Sequence, residues 1–172
     1  MSGGYEIGPD GVLVRPAEHA ASTYTKPELP EEAKENTERG AELAAKYLLD
    51  TLTYAWNTGD TQPFEDMTQP GDNFRETYIN NVKNLYSHGW MYDNSSTVTR
   101  IVSIEPVTDP KWNAQPNTIG VVFTIVASNG TSCVDKRIIV SDEFNVSAIF
   151  FMTWKDEQWI ATKGEVLHDV QE

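Results

Sequence analysis

The sequence predicts an α+β domain in which N-terminal helices pack into the concave face of a bent antiparallel sheet of four to five strands. Three observations carry this expectation. Between Glu31 and Gly89 apolar residues recur at spacings of three and four, the period of a helix. Beyond Gly89 they alternate with polar residues at the strand period of two. Two hard breaks, NTGD at 57–60 and QPGD at 69–72, stand close together among the helical segments. Helices first and strands afterwards, within 172 residues, make one α+β layer pair.

Residues 1–30 contain Pro9, Pro16, Pro27 and Pro30 and no apolar periodicity, so they read as an extended Pro-rich arm or linker. Within them only GVLV, residues 11–14, has the character to add an edge strand or cover an apolar face. The domain proper is expected over 31–168. Its first helix is expected from Glu31, with Pro30, Glu31 and Glu32 favouring the start and Ala41, Ala45, Leu48, Leu52, Ala55 and Trp56 on the buried side. Gly59 suits the left-handed residue that ends such a helix. A short turn follows over 61–67, where Pro63 is tolerated because first-turn amides have no helical partner. Asn73 with Glu76 resembles a capping box for a third helix that places Phe74, Tyr78, Val82, Leu85 and Tyr86 on one side.

The strands are read from Val98, Arg100, Val102 and Ile104, then from Ile119, Val121, Phe123, Ile125 and Ala127, each set alternating with its neighbours. Asn129-Gly130 is the favoured two-residue hairpin turn and returns the chain into TSCVDKRIIVS. Val146, Ala148, Phe150, Met152 and Trp154 alternate again, and a tight turn over 155–158 leads into WIATKGEVL. The two breaks now acquire a purpose. A first helix of about 27 residues spans about 40 Å, longer than such a sheet is wide, so the chain must turn sharply to return over the same face.

The formal charge of −13, from 26 acidic and 13 basic residues, repels a phosphate backbone and argues against nucleic acid or an anionic membrane surface as partner. No apolar run reaches the length of a membrane-spanning helix. Cys133 is the sole cysteine, which excludes an intramolecular disulfide and a cysteine metal cage, and it reads as a buried inert thiol.

The segment KPELPEEAKENTERGAELAAKYLLDTLTYAWNTGDTQPFEDM and the closing FFMTWKDEQWIATKGEVL carry a resemblance. The arrangement resembles the NTF2-like, or cystatin-like cone, superfamily, and within it an uncharacterised domain of actinobacterial lipoproteins. The resemblance covers most of residues 24–167. It implies an exported protein tethered by a lipidated cysteine upstream of Met1, with the arm as spacer. Members of that family often carry two cysteines after the second corner; QPGDNFRE stands there instead, so the disulfide they imply is absent.

Enzymes of this cone work with a pocket tyrosine and a carboxylate, as ketosteroid isomerase does, which would draw on Tyr47, Tyr54 or Tyr78 with Asp60 or Asp66. Tyrosines at helical spacing serve equally as core, and Asp60 serves as a cap, so no catalytic residue is assigned. His19 lies in the arm, His168 near the end, and His88 at a helix terminus; no metal site and no cofactor are expected. A cone lined by Tyr54, Tyr78, Trp90, Phe123, Phe150 and Met152 would take an apolar small molecule, unless these side chains fill one another's space. On the outer side of the sheet Val122, Val126, Ile149 and Phe151 are apolar, which suits either a homodimer through the sheet face or cover by the arm. The reading is therefore a non-enzymatic, extracytoplasmic NTF2-like domain of a lipoprotein that acts by small-molecule binding or protein assembly.

Overall fold

The computed structural model describes residues 5–9 and 11–168. Three α-helices, α1 (Glu38–Thr58), α2 (Gln62–Asp66) and α3 (Asn73–Tyr86), precede seven strands. These are β1 (Gly89–Tyr92), β2 (Ser95–Pro106), β3 (Thr118–Ser128), β4 (Thr131–Val134), β5 (Arg137–Val140), β6 (Phe144–Lys155) and β7 (Gln158–His168). The α+β class read from the sequence is the one observed. The strands form two antiparallel sheets, a four-stranded one ordered β2-β3-β6-β7 and a three-stranded one ordered β1-β4-β5. The second sheet is absent from the sequence reading.

Helix α1 begins seven residues later than its periodicity suggests. Residues Glu31–Lys34 make a separate 3-10 turn, Glu35 is extended, and Thr37 caps α1 by accepting from the Gly40 amide at 2.9 Å. The break lets the Trp159 indole donate to the Glu35 carbonyl at 2.7 Å. A Cβ at Gly40 would lie 2.1 Å from that carbonyl, so only glycine fits there. At the other end Gly59 is left-handed at φ 82° and its amide bonds the Ala55 carbonyl, as expected. The cap of α3 is Asp72 rather than Asn73: Asp72 accepts from the Arg75 amide and Glu76 reaches back to the Gly71 amide.

The corner between α2 and α3 does more than turn the chain. Residue Gln69 donates to the Ala161 carbonyl at 2.9 Å and Ala161 to the Met67 carbonyl at 2.8 Å, so this segment bridges the outer edge of β7 at Ala161.

The main core lies between the helices and the four-stranded sheet. Ala41, Ala44, Ala45 and Leu48 bring α1 close to Val121, Phe123, Ile125, Val146, Ala148, Phe150 and Met152, all buried. Phe74 meets Phe64, Tyr78 and Phe150 with ring centroids 5.7, 4.8 and 5.6 Å away. Gly164 makes room for it, since a Cβ there would come within 2.7 Å of the Phe74 ring. Trp56, expected on the buried face of α1, is half-buried and lies outside this core.

A second cluster of Leu13, Trp90, Tyr92 and Cys133 sits on the three-stranded sheet, with Tyr5, Val12, Tyr24, Tyr86 and Ile138 packed around it. GVLV adds no strand to either sheet and does not cover the outer face of the four-stranded one: Leu13 bridges Ile7 within the arm and is buried in this cluster. The Asn129-Gly130 turn likewise does not close a hairpin. Gly130 lies against the backbone of Tyr92 and Asp93, where a Cβ would come within 2.1 Å, and the chain crosses there from β3 into the smaller sheet.

Candidate functional site

On the side of the four-stranded sheet away from the helices the chain forms a cavity of about 700 Å3. Strand alternation sends Val122 of β3 and Ile149 and Phe151 of β6 outward to make its floor. Gly120 falls on the same face beside Phe151 and supplies no side chain, which deepens the floor; a Cβ there would meet Val107 Cγ2 at 3.2 Å.

The wall comes from the β2–β3 connection. Val107 donates its amide to the Thr118 carbonyl at 2.9 Å and folds the connection back. Asp109 then caps a short 3-10 turn over Pro110–Trp112 by accepting from the Lys111 amide at 3.0 Å, and Asn113 ends it in the left-handed region. The turn stands Trp112 edge-on to Phe151, centroids 5.9 Å apart at 86°, with 47% of Trp112 exposed. Gln115 ties the same loop to the corner by donating to Gln69 at 2.8 Å.

Polar groups rim this apolar concavity. Lys163 of β7 holds its ammonium 6.0 Å from the centre of the Phe151 ring, with Glu165 two residues along the same strand and Glu105 across the groove on β2. Asp72 closes one end; burial pushes its carboxyl above the ordinary carboxylate range, against the opposing pull of the α3 amides and Lys163. An apolar floor, one aromatic wall and a few charged groups at the margin suit recognition of an amphipathic molecule or segment.

The six residues proposed from the sequence to line a pocket do not converge. Phe123, Phe150 and Met152 are fully buried in the main core. Tyr78 packs at the margin of that core and borders a cleft of only about 160 Å3 with Trp56 and Phe144; burial raises its phenol. Tyr54 borders a different surface cleft of about 330 Å3, between the arm at Tyr24 and Pro27 and α1. Trp90 belongs to the second cluster, where its indole donates to the Leu13 carbonyl at 2.7 Å. Of the acid/base candidates, Asp60 accepts from the Gln62 amide ahead of α2, whose N-cap is Thr61, and Asp66 accepts from the Gln62 side chain. Tyr47 donates to the Pro27 carbonyl at 3.4 Å, and burial followed by the charges of Asp66 and Asp50 raises its phenol. His88 contacts Ser87 at 2.8 Å and Asp135 at 3.8 Å on the surface. Among the described residues no group of three His, Cys, Asp or Glu is placed to hold a metal, and no helix is long and apolar enough to cross a membrane.

The outward apolar positions on β3 and β6 are legible as alternation in the sequence, whereas no periodic pattern marks Trp112, Lys163 or Gly120. The signal for Trp112 was Asp109-Pro110, a cap and first-turn pair that announces a local turn carrying an aromatic.

Among solved structures the chain is similar to the intermembrane-space region of the chloroplast protein ARC6, at 10% identity and a TM-score of 0.48, over 77% of this chain and 98% of that one. It is also similar to an NTF-2 like protein of unknown function from Shewanella oneidensis MR-1, at 17% identity and a TM-score of 0.43, over 72% of this chain and 95% of that one. No curated protein matches significantly. The model of one family matches residues 16–165, from within the arm to the last strand, and the chain belongs to that family, the family of unknown function DUF6318.

Proposed function

We propose that this chain is a non-enzymatic binding domain, the extracytoplasmic NTF2-like domain of a lipoprotein, and that it takes an elongated apolar molecule into the groove on the outer face of the four-stranded sheet. The observation that carries the reading is the contrast between the two faces of that sheet. The helix-covered side is filled by Phe64, Phe123, Phe150 and Met152, whereas the open side holds a concavity of about 700 Å3 floored by Val122, Ile149 and Phe151. Lys163 and the carboxylates beside it fix the polar end of the bound molecule. The placement outside the cytoplasm rests on the sequence resemblance to lipoprotein domains, with the Pro-rich arm as spacer.

Anilinonaphthalene sulfonate, an apolar ring system with an anionic group, tests the groove directly. Saturable binding with quenching of tryptophan emission is expected for the native chain. Gly120→Leu fills the groove from a central strand, pressing on Val107, and is expected to weaken binding at least about tenfold, equivalent to about 1.4 kcal/mol, in a chain that still unfolds cooperatively. Binding that survives Gly120→Leu and Trp112→Ala intact would place the ligand elsewhere and overturn the reading. Fractionation of cells carrying the full-length protein, with and without detergent, tests the membrane tether.

A further inference from the structure

The register of the four-stranded sheet sets the side chains of the groove in rows. Glu105, Gly120, Phe151 and Lys163 stand opposite one another across β2, β3, β6 and β7, and Ser103, Val122, Ile149 and Glu165 form the next row. The two inner strands therefore supply an apolar floor and the two outer strands the charges. Glu105 and Lys163 lie three interstrand spacings apart, about 14 Å, so each marks its own margin.

The charges of the groove do not balance. Asp72, Glu105, Asp109 and Glu165 line it against the single ammonium of Lys163. Lys111, outside the lining, is 3.7 Å from Asp109 and offsets it. Arg100 stands opposite Thr124, beyond the row of Val122, and Arg75 is engaged by Glu65 and Glu76; neither lines the groove. At the β7 margin Lys163 faces two carboxylates, Asp72 and Glu165, which leaves that margin acidic. At the β2 margin Glu105 has no cation of its own, and it joins no ion pair among the described residues.

We propose, on the reading that this groove is the binding site, that its ligand is a cationic amphipath, with an apolar body on Val122, Ile149 and Phe151 and an ammonium group against Glu105. A carboxylate head at the β2 margin would meet Glu105 and Asp109; at the β7 margin it would meet Asp72 and Glu165 as well as Lys163. An ammonium beside Glu105 is separated from Lys163 by the width of the sheet, beyond the roughly 8 Å over which exposed charges act at physiological ionic strength. The formal charge of −13 draws a cation toward the molecule as a whole, and Glu105 gives it a place to stop.

Three probes with alkyl chains of similar length test the sign of the head group: decyltrimethylammonium, decanoate and decyl maltoside, titrated by calorimetry below their micelle-forming concentrations. At low salt decyltrimethylammonium is expected to bind at least about fivefold tighter than decanoate, and the gap should narrow as salt is added. Glu105→Gln should lower that ratio at least about threefold and leave decyl maltoside unaffected. Glu28→Gln, the same change of charge at an exposed position in the arm, should leave the ratio in place. Decanoate bound as tightly as the ammonium would overturn the proposal. So would a ratio that falls equally in Glu105→Gln and Glu28→Gln, since the preference would then belong to the overall charge. Decyl maltoside tells this failure from that of the groove itself. Bound by the native chain and weakened by Gly120→Leu, it leaves the groove standing whatever the two charged probes show. If no probe binds, or Gly120→Leu affects none of them, the groove falls as the binding site and the cationic ligand with it.

Discussion

The two hydrophobic clusters of this molecule are held by opposite means. The main core is assembled almost entirely from carbon: alanines and Leu48 of α1 against alternate residues of β3 and β6, with a group of aromatic rings at one end. The cluster on the small sheet contains four buried residues and is fixed by specified polar bonds. Trp90 donates to the Leu13 carbonyl, the Tyr5 and Tyr92 hydroxyls meet at 3.0 Å, and His19 stacks on Tyr92 at 3.9 Å. Arg15 donates to the His19 and Asn57 carbonyls and to the Tyr86 hydroxyl, which ties the arm to the end of α1. Asn57 in turn exchanges hydrogen bonds with the backbone of Asn94 at 3.0 and 2.8 Å. The first cluster is stabilised by buried area, the second by a few bonds that each need their partner.

The sharpest way to break this comparison is to cut each cluster once. Phe150→Ala removes a fully buried ring from the main core and is expected to cost about 3 to 5 kcal/mol, read by denaturant unfolding. Arg15→Met leaves the Asn57 and His19 carbonyls without this donor, and about 2 kcal/mol is expected. Its effect should be local: amide exchange should accelerate in the arm and the small sheet and stay unchanged in β3 and β6. Uniform acceleration throughout the chain would mean that the two clusters unfold as one.

That division also explains what was legible in the sequence. Phe123, Ile125, Phe150 and Met152 announce themselves by alternation, and Gly59 and Gly71 by the breaks they make, because both signals are local. The small sheet joins residues 89–92 to 131–134, and no local pattern records that pairing. Asn129-Gly130 even points the wrong way: its glycine serves a close approach to Tyr92 and Asp93 rather than a hairpin. The arm reads as a linker because its anchors are single long-range contacts, Trp90 to the Leu13 carbonyl and the Arg15 side chain to Tyr86 and Asn57, which no local pattern displays. For the groove, the floor of Val122, Ile149 and Phe151 could be read, but its depth depends on Gly120 and on a loop that folds back over it.

A smaller effect sharpens the contrast. Trp90→Phe keeps most of the ring and deletes only the bond to Leu13, so about 1 kcal/mol is expected, with the loss of protection concentrated near Leu13. A cost as large as that of Phe150→Ala would show that the small cluster depends on buried area after all.

The finest test uses two tyrosines whose phenols are raised for different reasons. Tyr78 is raised by burial at the edge of the main core, whereas Tyr5 is pushed up to about 12, first by its hydrogen bond with Tyr92 and then by burial. In the unfolded chain Tyr5 ionises near its ordinary value of 10.0, so its contribution is fully present below that pH and is lost as pH rises from 10.0 to about 12, where the unfolded chain gives up the proton first. Tyr5→Phe should therefore flatten the fall of stability across that window. The value also depends on the arm being docked, since Tyr92 lies on β1 and Tyr5 in the arm. Releasing the arm with Arg15→Met should return Tyr5 toward its ordinary range while leaving Tyr78 raised. Ultraviolet titration of the phenolate, with Tyr5→Phe and Tyr78→Phe identifying each transition, measures both. If Tyr5 keeps its high value in Arg15→Met, the arm is held by the aromatic contacts alone, and Arg15 is not the latch that separates the second cluster from the first.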